Sequence, residues 1–117
     1  MSDTLALNLR EIIEKAVHET MGDSILLSGG LDTSVVAVLA QRWRKIHAYT
    51  VILNDAPAPD LPYAKLIAEK FSLPHTVFSF HLSEIDEGLR HVIRTLQTFD
   101  PMDVRNSLTV FLGLRRA

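Results

Sequence analysis

Residues 24–34 read Ser-Ile-Leu-Leu-Ser-Gly-Gly-Leu-Asp-Thr-Ser, and this stretch constrains the chain more than any other. A short apolar run stops at two adjacent glycines, and a second apolar segment starts at once. Ser24, Ile25, Leu26 and Leu27 lie between a turn at Gly22 and the pair Gly29-Gly30. They read as a buried parallel strand. Residues 35–40 are apolar on every side and run into Gln41-Arg42-Trp43-Arg44-Lys45. That reads as a helix packed on a sheet, with a basic, solvated end.

The same alternation continues along the chain. Leu9, Ile12, Ile13, Ala16 and Val17 recur at helical spacing, so a helix over 4–20 precedes the first strand. A second strand is expected over 48–53, followed by a polar, proline-rich loop over 54–59. Pro62 suits the first turn of the next helix, whose core face is Tyr63, Ala64, Ile67, Ala68 and Phe71. A third strand is expected over 76–80. Ser83, with Asp86 three residues on, is a candidate cap for a fourth helix. Its stripe is Ile85, Leu89, Val92, Ile93 and Leu96. A loop over 98–103 leads to a last helix with Val104, Leu108, Phe111 and Leu112 on one face.

Strands alternating with helices predict the α/β class: a three-layer Rossmann-like fold with a short parallel sheet flanked by helices. The 117 residues fit one domain. Ligands in such folds sit beyond the carboxyl ends of the strands, where Ser28 emerges.

Composition narrows the function classes. Apolar residues make up 47% and charged residues 22%, with a formal charge of −2 and scattered Lys and Arg. That gives no electrostatic footprint for nucleic acid. The chain holds no cysteine, which excludes disulfides, thiolate metal sites and cysteine nucleophiles. No apolar run approaches the ~18 residues a bilayer span needs, and no signal-peptide pattern opens the chain. A cytoplasmic protein with no membrane partner is the expectation.

The glycine loop carries the chemistry. Gly29 and Gly30 have no Cβ, so the backbone can turn sharply and approach a ligand. The first N–H groups of the following helix lack internal partners, and the helix dipole adds partial positive charge. Ser28, Thr33 and Ser34 bring hydroxyl groups. Together these make an anion site suited to phosphate. Asp32 fits such a site only with a cation, so the loop predicts Mg²⁺ near Asp32 and ATP rather than bare phosphate. The plainer alternative is a Gly-Gly turn whose Asp and Ser cap a helix. No G-x-x-x-x-G-K-[ST], G-x-G-x-x-G or G-x-S-x-G pattern occurs.

The remaining candidates read more plainly. His18, His47, His75, His81 and His91 show no ligand spacing and are expected to be solvated or hydrogen-bonded. Trp43 reads as packing. Asp60 with Pro62 reads first as a helix start and second as an active-site lip; Asp100 and Asp103 read as metal-near acids, with helix capping as the alternative for Asp103. Arg105 suits phosphate or carboxylate.

The heptad over 28–34 resembles the signature of the ATP pyrophosphatase superfamily, the PP-loop enzymes. Two further segments resemble the asparagine synthetase-like branch. One is Ala58-Pro59-Asp60-Leu61-Pro62-Tyr63-Ala64, with Ala68-Glu69 and Pro74-His75 after it. The other is Thr98-Phe99-Asp100-Pro101-Met102-Asp103-Val104-Arg105-Asn106-Ser107. The resemblance implies the adenine nucleotide alpha hydrolase-like version of the fold. It implies ATP cleavage between the α and β phosphates and activation of a carboxylate, such as aspartate, as an acyl-adenylate for amide formation. A non-catalytic ATP- or AMP-binding module of the same fold is the alternative.

Position by position, the resemblance puts Leu26 and Ser28 near the nucleotide and Val51 at the adenine. Ser28, Gly29, Gly30, Asp32, Thr33 and Ser34 would hold the pyrophosphate portion, with Arg105 in the site wall. The family's second motif, Gly-Glu-Gly-x-Asp-Glu, and a later lysine are not in these residues, nor is a glutaminase domain with its N-terminal cysteine. The chain therefore reads as about half of a synthetase domain. Such a half leaves the first strand with an open edge, to be covered by the last helix or by a second copy in a homodimer.

Overall fold

The computed structural model describes residues 2–117. Its elements are α1 (Asp3–Thr20), β1 (Ser24–Leu26), α2 (Leu31–Ala40), β2 (His47–Leu53), α3 (Leu61–Lys70), β3 (His75–Phe80), α4 (Leu82–Leu96) and α5 (Pro101–Arg116). The strands pair in the order β1-β2-β3, both pairs parallel. Leu26 lies beside Tyr49, and Leu53 beside Phe80. The expected α/β architecture is therefore what the chain adopts.

Strand periodicity sends Ala48 and Thr50 to one face of the sheet and Tyr49 and Val51 to the other. The first face meets α2 and α3 through buried Leu27, Ala37, Ala48, Ala64, Ala68 and Leu73. Four of these are alanines, and such small side chains let helix and sheet backbones come close. Helix α5 packs from the other side, where a Cβ added at Gly113 would stand 2.5 Å from Leu26 Cδ2. Helix α4 packs on α5, with Gly88 against Leu108 and Leu112. Leu27, Ile46 and Phe80 are the largest fully buried side chains. Each burial stabilises the fold by about 1.5–3 kcal/mol.

Several local expectations are corrected. The stripe of α1 is only half used: Leu9 and Ile12 are 51% and 66% exposed, while Ile13 and Val17 pack. Helix α1 joins Leu39, Ala40 and Ile46 beside α2, so a single line of its side chains faces inward. Tyr63 is exposed rather than part of the α3 core face. Helix α2 ends at Ala40, and the basic residues after it lie in a turn.

Two caps also move. Helix α4 starts after His81, whose N–H donates to Glu84 Oε2 at 2.9 Å, so Ser83 and Asp86 do not form the cap. Helix α5 starts at Pro101, with Asp100 Oδ1 accepting from the N–H groups of Met102 and Asp103. Asp103 therefore lies inside the first turn, and the loop before it is shorter than expected.

The sheet border differs as well. Helix α5 lies over the face of the sheet and not along the outer side of β1, which among the described residues pairs with β2 alone. Beside β1 an apolar cleft opens between α1 and α2, lined by Ile12, Val17, Met21, Ile25 and Val36. Among the described residues no helix is long and apolar enough to cross a membrane.

Candidate functional site

The chain leaves β1 through buried Leu27 and surfaces at Ser28. Gly29 has φ +86°, the left-handed region that side chains disfavour. A Cβ there would stand 2.6 Å from Ala64 N and 2.7 Å from Asp60 O. The loop is thus pressed against the start of α3. Gly30 differs: it is the N-cap of α2 with φ −75° and ψ 171°, which any residue adopts. A Cβ at Gly30 meets only Ser28 Oγ, at 3.4 Å. Gly29 answers a demand of the backbone, whereas Gly30 leaves the mouth of the loop open.

The hydroxyl groups also bond within the loop. Ser28 N–H donates to Thr33 Oγ1 at 3.2 Å, and Gly30 N–H donates to Ser28 Oγ at 3.2 Å. The Ser28 and Thr33 hydroxyls are 2.9 Å apart. Ser34 Oγ donates to Gly30 O at 2.6 Å. These groups brace the loop from within. The Ser28–Thr33 contact uses one of the two hydroxyl protons, so one hydroxyl donor is left over beside the main-chain ones: α2 has no side-chain cap, and its first-turn N–H groups at Leu31, Asp32 and Thr33 find no acceptor among the described residues.

A cleft of about 440 Å³ opens at the carboxyl ends of β1 and β2. Of the residues singled out from sequence, Leu26, Ser28, Thr33, Val51, Asp60 and Arg105 line it together. Gly29, Gly30, Asp32 and Ser34 belong to the adjoining loop and the first turn of α2 and do not line it. Asp32 is exposed there. Arg105 is the only cationic side chain on the lining, and it makes no ion pair among the described residues. The described residues assemble no group of three or more His, Asp or Glu side chains that could hold a metal ion. A cation at Asp32 would therefore complete its oxygen shell with phosphate and water.

Other lining residues escaped the sequence reading: Tyr49, Thr50, Asn106 and Thr109. Thr109 was within reach, since it lies four residues after Arg105 on a helix and so shares its face. The histidines, none of which lines the cleft, are hydrogen-bonded or packed on aromatic rings. His75 meets Thr50, His47 meets Thr76, and His18 lies tilted over Trp43. Burial pushes the His75 pKa down, helped by Lys65 and His47. The His81 backbone N–H, and then Arg116, hold the Glu84 carboxyl below its usual range despite some desolvation.

Fold and loop together define an α/β domain with an open helix N-terminus at its first β–α turn. The chain belongs to the asparagine synthase family, whose model matches residues 8–117. It is 37% identical over 126 residues to a glutamine-hydrolyzing asparagine synthetase of Zea mays, covering 95% of this chain and 21% of that protein. A probable asparagine synthetase of Dictyostelium discoideum is 31% identical, with 92% and 22% covered. An asparagine synthetase of Lotus japonicus is 34% identical, with 94% and 21% covered. The chain thus spans about a fifth of the length of these curated relatives.

Proposed function

We propose that the chain binds Mg²⁺–ATP at the carboxyl edge of its sheet and contributes the nucleotide half of an asparagine synthetase-type ATP pyrophosphatase. The observation that carries this is the set of unpaired main-chain donors at Leu31, Asp32 and Thr33, directly after Gly29-Gly30 and beside the cleft. A helix N-terminus following two glycines favours phosphate oxygens. The residues of the loop, Ser28, Gly29, Gly30, Asp32, Thr33 and Ser34, would hold the β and γ phosphates. Leu26 and Val51 offer an apolar wall for the adenine, and Arg105 faces the phosphate or the carboxylate substrate.

The metal would rest on Asp32 and the phosphates. Bound Mg²⁺–ATP supplies the α-phosphorus that a carboxylate, aspartate or another, would attack to give an acyl-adenylate and pyrophosphate. The family membership supports that reaction class, and the names of the relatives support aspartate. Titration calorimetry with Mg²⁺–ATP tests the binding. Heat of binding that disappears without Mg²⁺ is expected, and no heat at millimolar ATP would overturn it.

One observation favours a second reading, in which these residues hold nucleotide without transforming it. In-line attack needs neutralised charge on both attacked and leaving oxygens. Arg105 is the lone cation on the cleft lining. A second copy joining at the open side of β1 would give a homodimer, which light scattering detects.

A further inference from the structure

Thr50 is the buried polar side chain of the core among the described residues, 6% exposed. Its hydroxyl oxygen lies 2.6 Å from the Leu27 carbonyl oxygen and 2.7 Å from His75 Nε2. A threonine hydroxyl has one proton, and a carbonyl only accepts. The proton therefore goes to Leu27 O. The same oxygen must then accept from His75, which assigns the ring proton to Nε2. Both partners are satisfied only in this arrangement, so the pair works in one direction: His75 donates to Thr50, and Thr50 donates to Leu27.

The location gives this chain of bonds its meaning. The register of β1 with β2 ends at Leu26 beside Tyr49. Leu27 N–H still donates to Tyr49 O, at 2.7 Å. At the Leu27 carbonyl, a side chain of the neighbouring strand takes the acceptor. One residue later Ser28 opens the glycine loop.

We propose that Thr50, oriented by His75, is a positioning residue for the 28–34 loop. It ends the strand by capturing the Leu27 carbonyl, and so sets the direction in which the chain enters the loop. A carbonyl free to rotate would swing the next peptide plane, and Ser28, Gly29 and Gly30 with it. His75 contributes by keeping the Thr50 hydroxyl pointed at Leu27 and not at another acceptor. The binding arm of the test rests on the Mg²⁺–ATP reading above; the other arms do not.

Thr50→Val keeps the side-chain shape and removes the hydroxyl, while Thr50→Ser keeps the hydroxyl. His75→Leu removes the ring donor, and His75→Gln returns a donor of similar reach. Loss of a net hydrogen bond of ~1.4 kcal/mol corresponds to about tenfold. Amide exchange at Gly30 is expected to quicken about tenfold in Thr50→Val and His75→Leu, and to recover in Thr50→Ser and His75→Gln. The affinity for Mg²⁺–ATP should fall and recover in the same pattern. Nitrogen NMR of the wild-type ring should show His75 protonated at Nε2. Wild-type protein that fails to bind Mg²⁺–ATP sinks the ATP reading alone, because loop exchange and the ring tautomer still decide the clamp. A protonated Nδ1, or loop exchange unchanged in Thr50→Val, overturns the positioning role.

Discussion

Gly29 is pressed against the Asp60 carbonyl so closely that a Cβ would stand 2.7 Å from its oxygen. This contact ties the glycine loop to the first turn of α3 and splits the roles of the two adjacent glycines. Gly29→Ala should destabilise the fold, by about 1–2 kcal/mol from the left-handed backbone alone. A thermal melt should show the loss as several degrees. Gly30→Ala should melt like the wild type, since its backbone is ordinary and a Cβ has room. It should nonetheless weaken Mg²⁺–ATP, because the methyl group stands where the loop is open. Equal melting losses for both variants would contradict this division.

Arg105 is exposed and makes no ion pair among the described residues, so its removal should leave stability unchanged. Arg105→Ala is expected to weaken Mg²⁺–ATP about tenfold or more, in line with ~1.5–3 kcal/mol for a charge-assisted hydrogen bond. Calorimetry at two salt concentrations checks it. The wild-type affinity should fall more steeply with salt than that of the variant.

Gly113→Ala sets two effects against each other. Alanine gains about 0.8–1 kcal/mol of helix propensity over glycine. The new methyl meets Leu26 Cδ2 at 2.5 Å in a buried contact, and overpacking costs about 1–3 kcal/mol. The second effect should win, lowering the melting temperature by a few degrees. Leu26 also lines the cleft, so the displaced side chain should alter nucleotide affinity as well. A variant that melts higher than the wild type would mean that Leu26 yields freely.

The half-buried His75 sets an expected acid sensitivity. Its folded pKa lies below the ordinary histidine value of about 6.5, because burial, Lys65 and His47 all disfavour the charged ring. The unfolded chain therefore binds the extra proton first. The contribution is fully present above about pH 6.5 and is lost as pH falls through the folded value. Melting temperatures from pH 8 to pH 5 should decline across this window in the wild type and decline less in His75→Gln.

ATP–pyrophosphate exchange with aspartate should be at or near background for this chain, even at saturating Mg²⁺–ATP. The cleft lining carries one guanidinium, Arg105, and the described residues supply no acidic cluster that could hold a metal ion. Exchange at a rate typical of a whole synthetase would show that these residues suffice for chemistry.

The sheet and its loop were legible because their signals are local. Apolar runs bounded by glycine or proline mark strands, and Gly29-Gly30 marks the turn. What failed was relational. Helical spacing in α1 says that one side is apolar but not that only Ile13 and Val17 would find neighbours. Several cap-forming residues stood side by side near α4 and α5, and geometry chose Glu84 and Asp100 over Ser83 and Asp103. The bonds that Ser28, Thr33 and Ser34 make within the loop were not legible, because those partners meet only once it is closed. The link from Thr50 to His75 spans 25 positions and depends on strand register, which no local pattern reveals.

The brevity of β1 has a mechanical consequence. A rim of three residues, gripped from one flank, is the part of the sheet that frays at least cost. The glycine loop hangs from that rim. How long it keeps a shape fit for phosphate depends on a few bonds at its root and not on the core as a whole. Whatever steadies the rim gains leverage over the loop from its root.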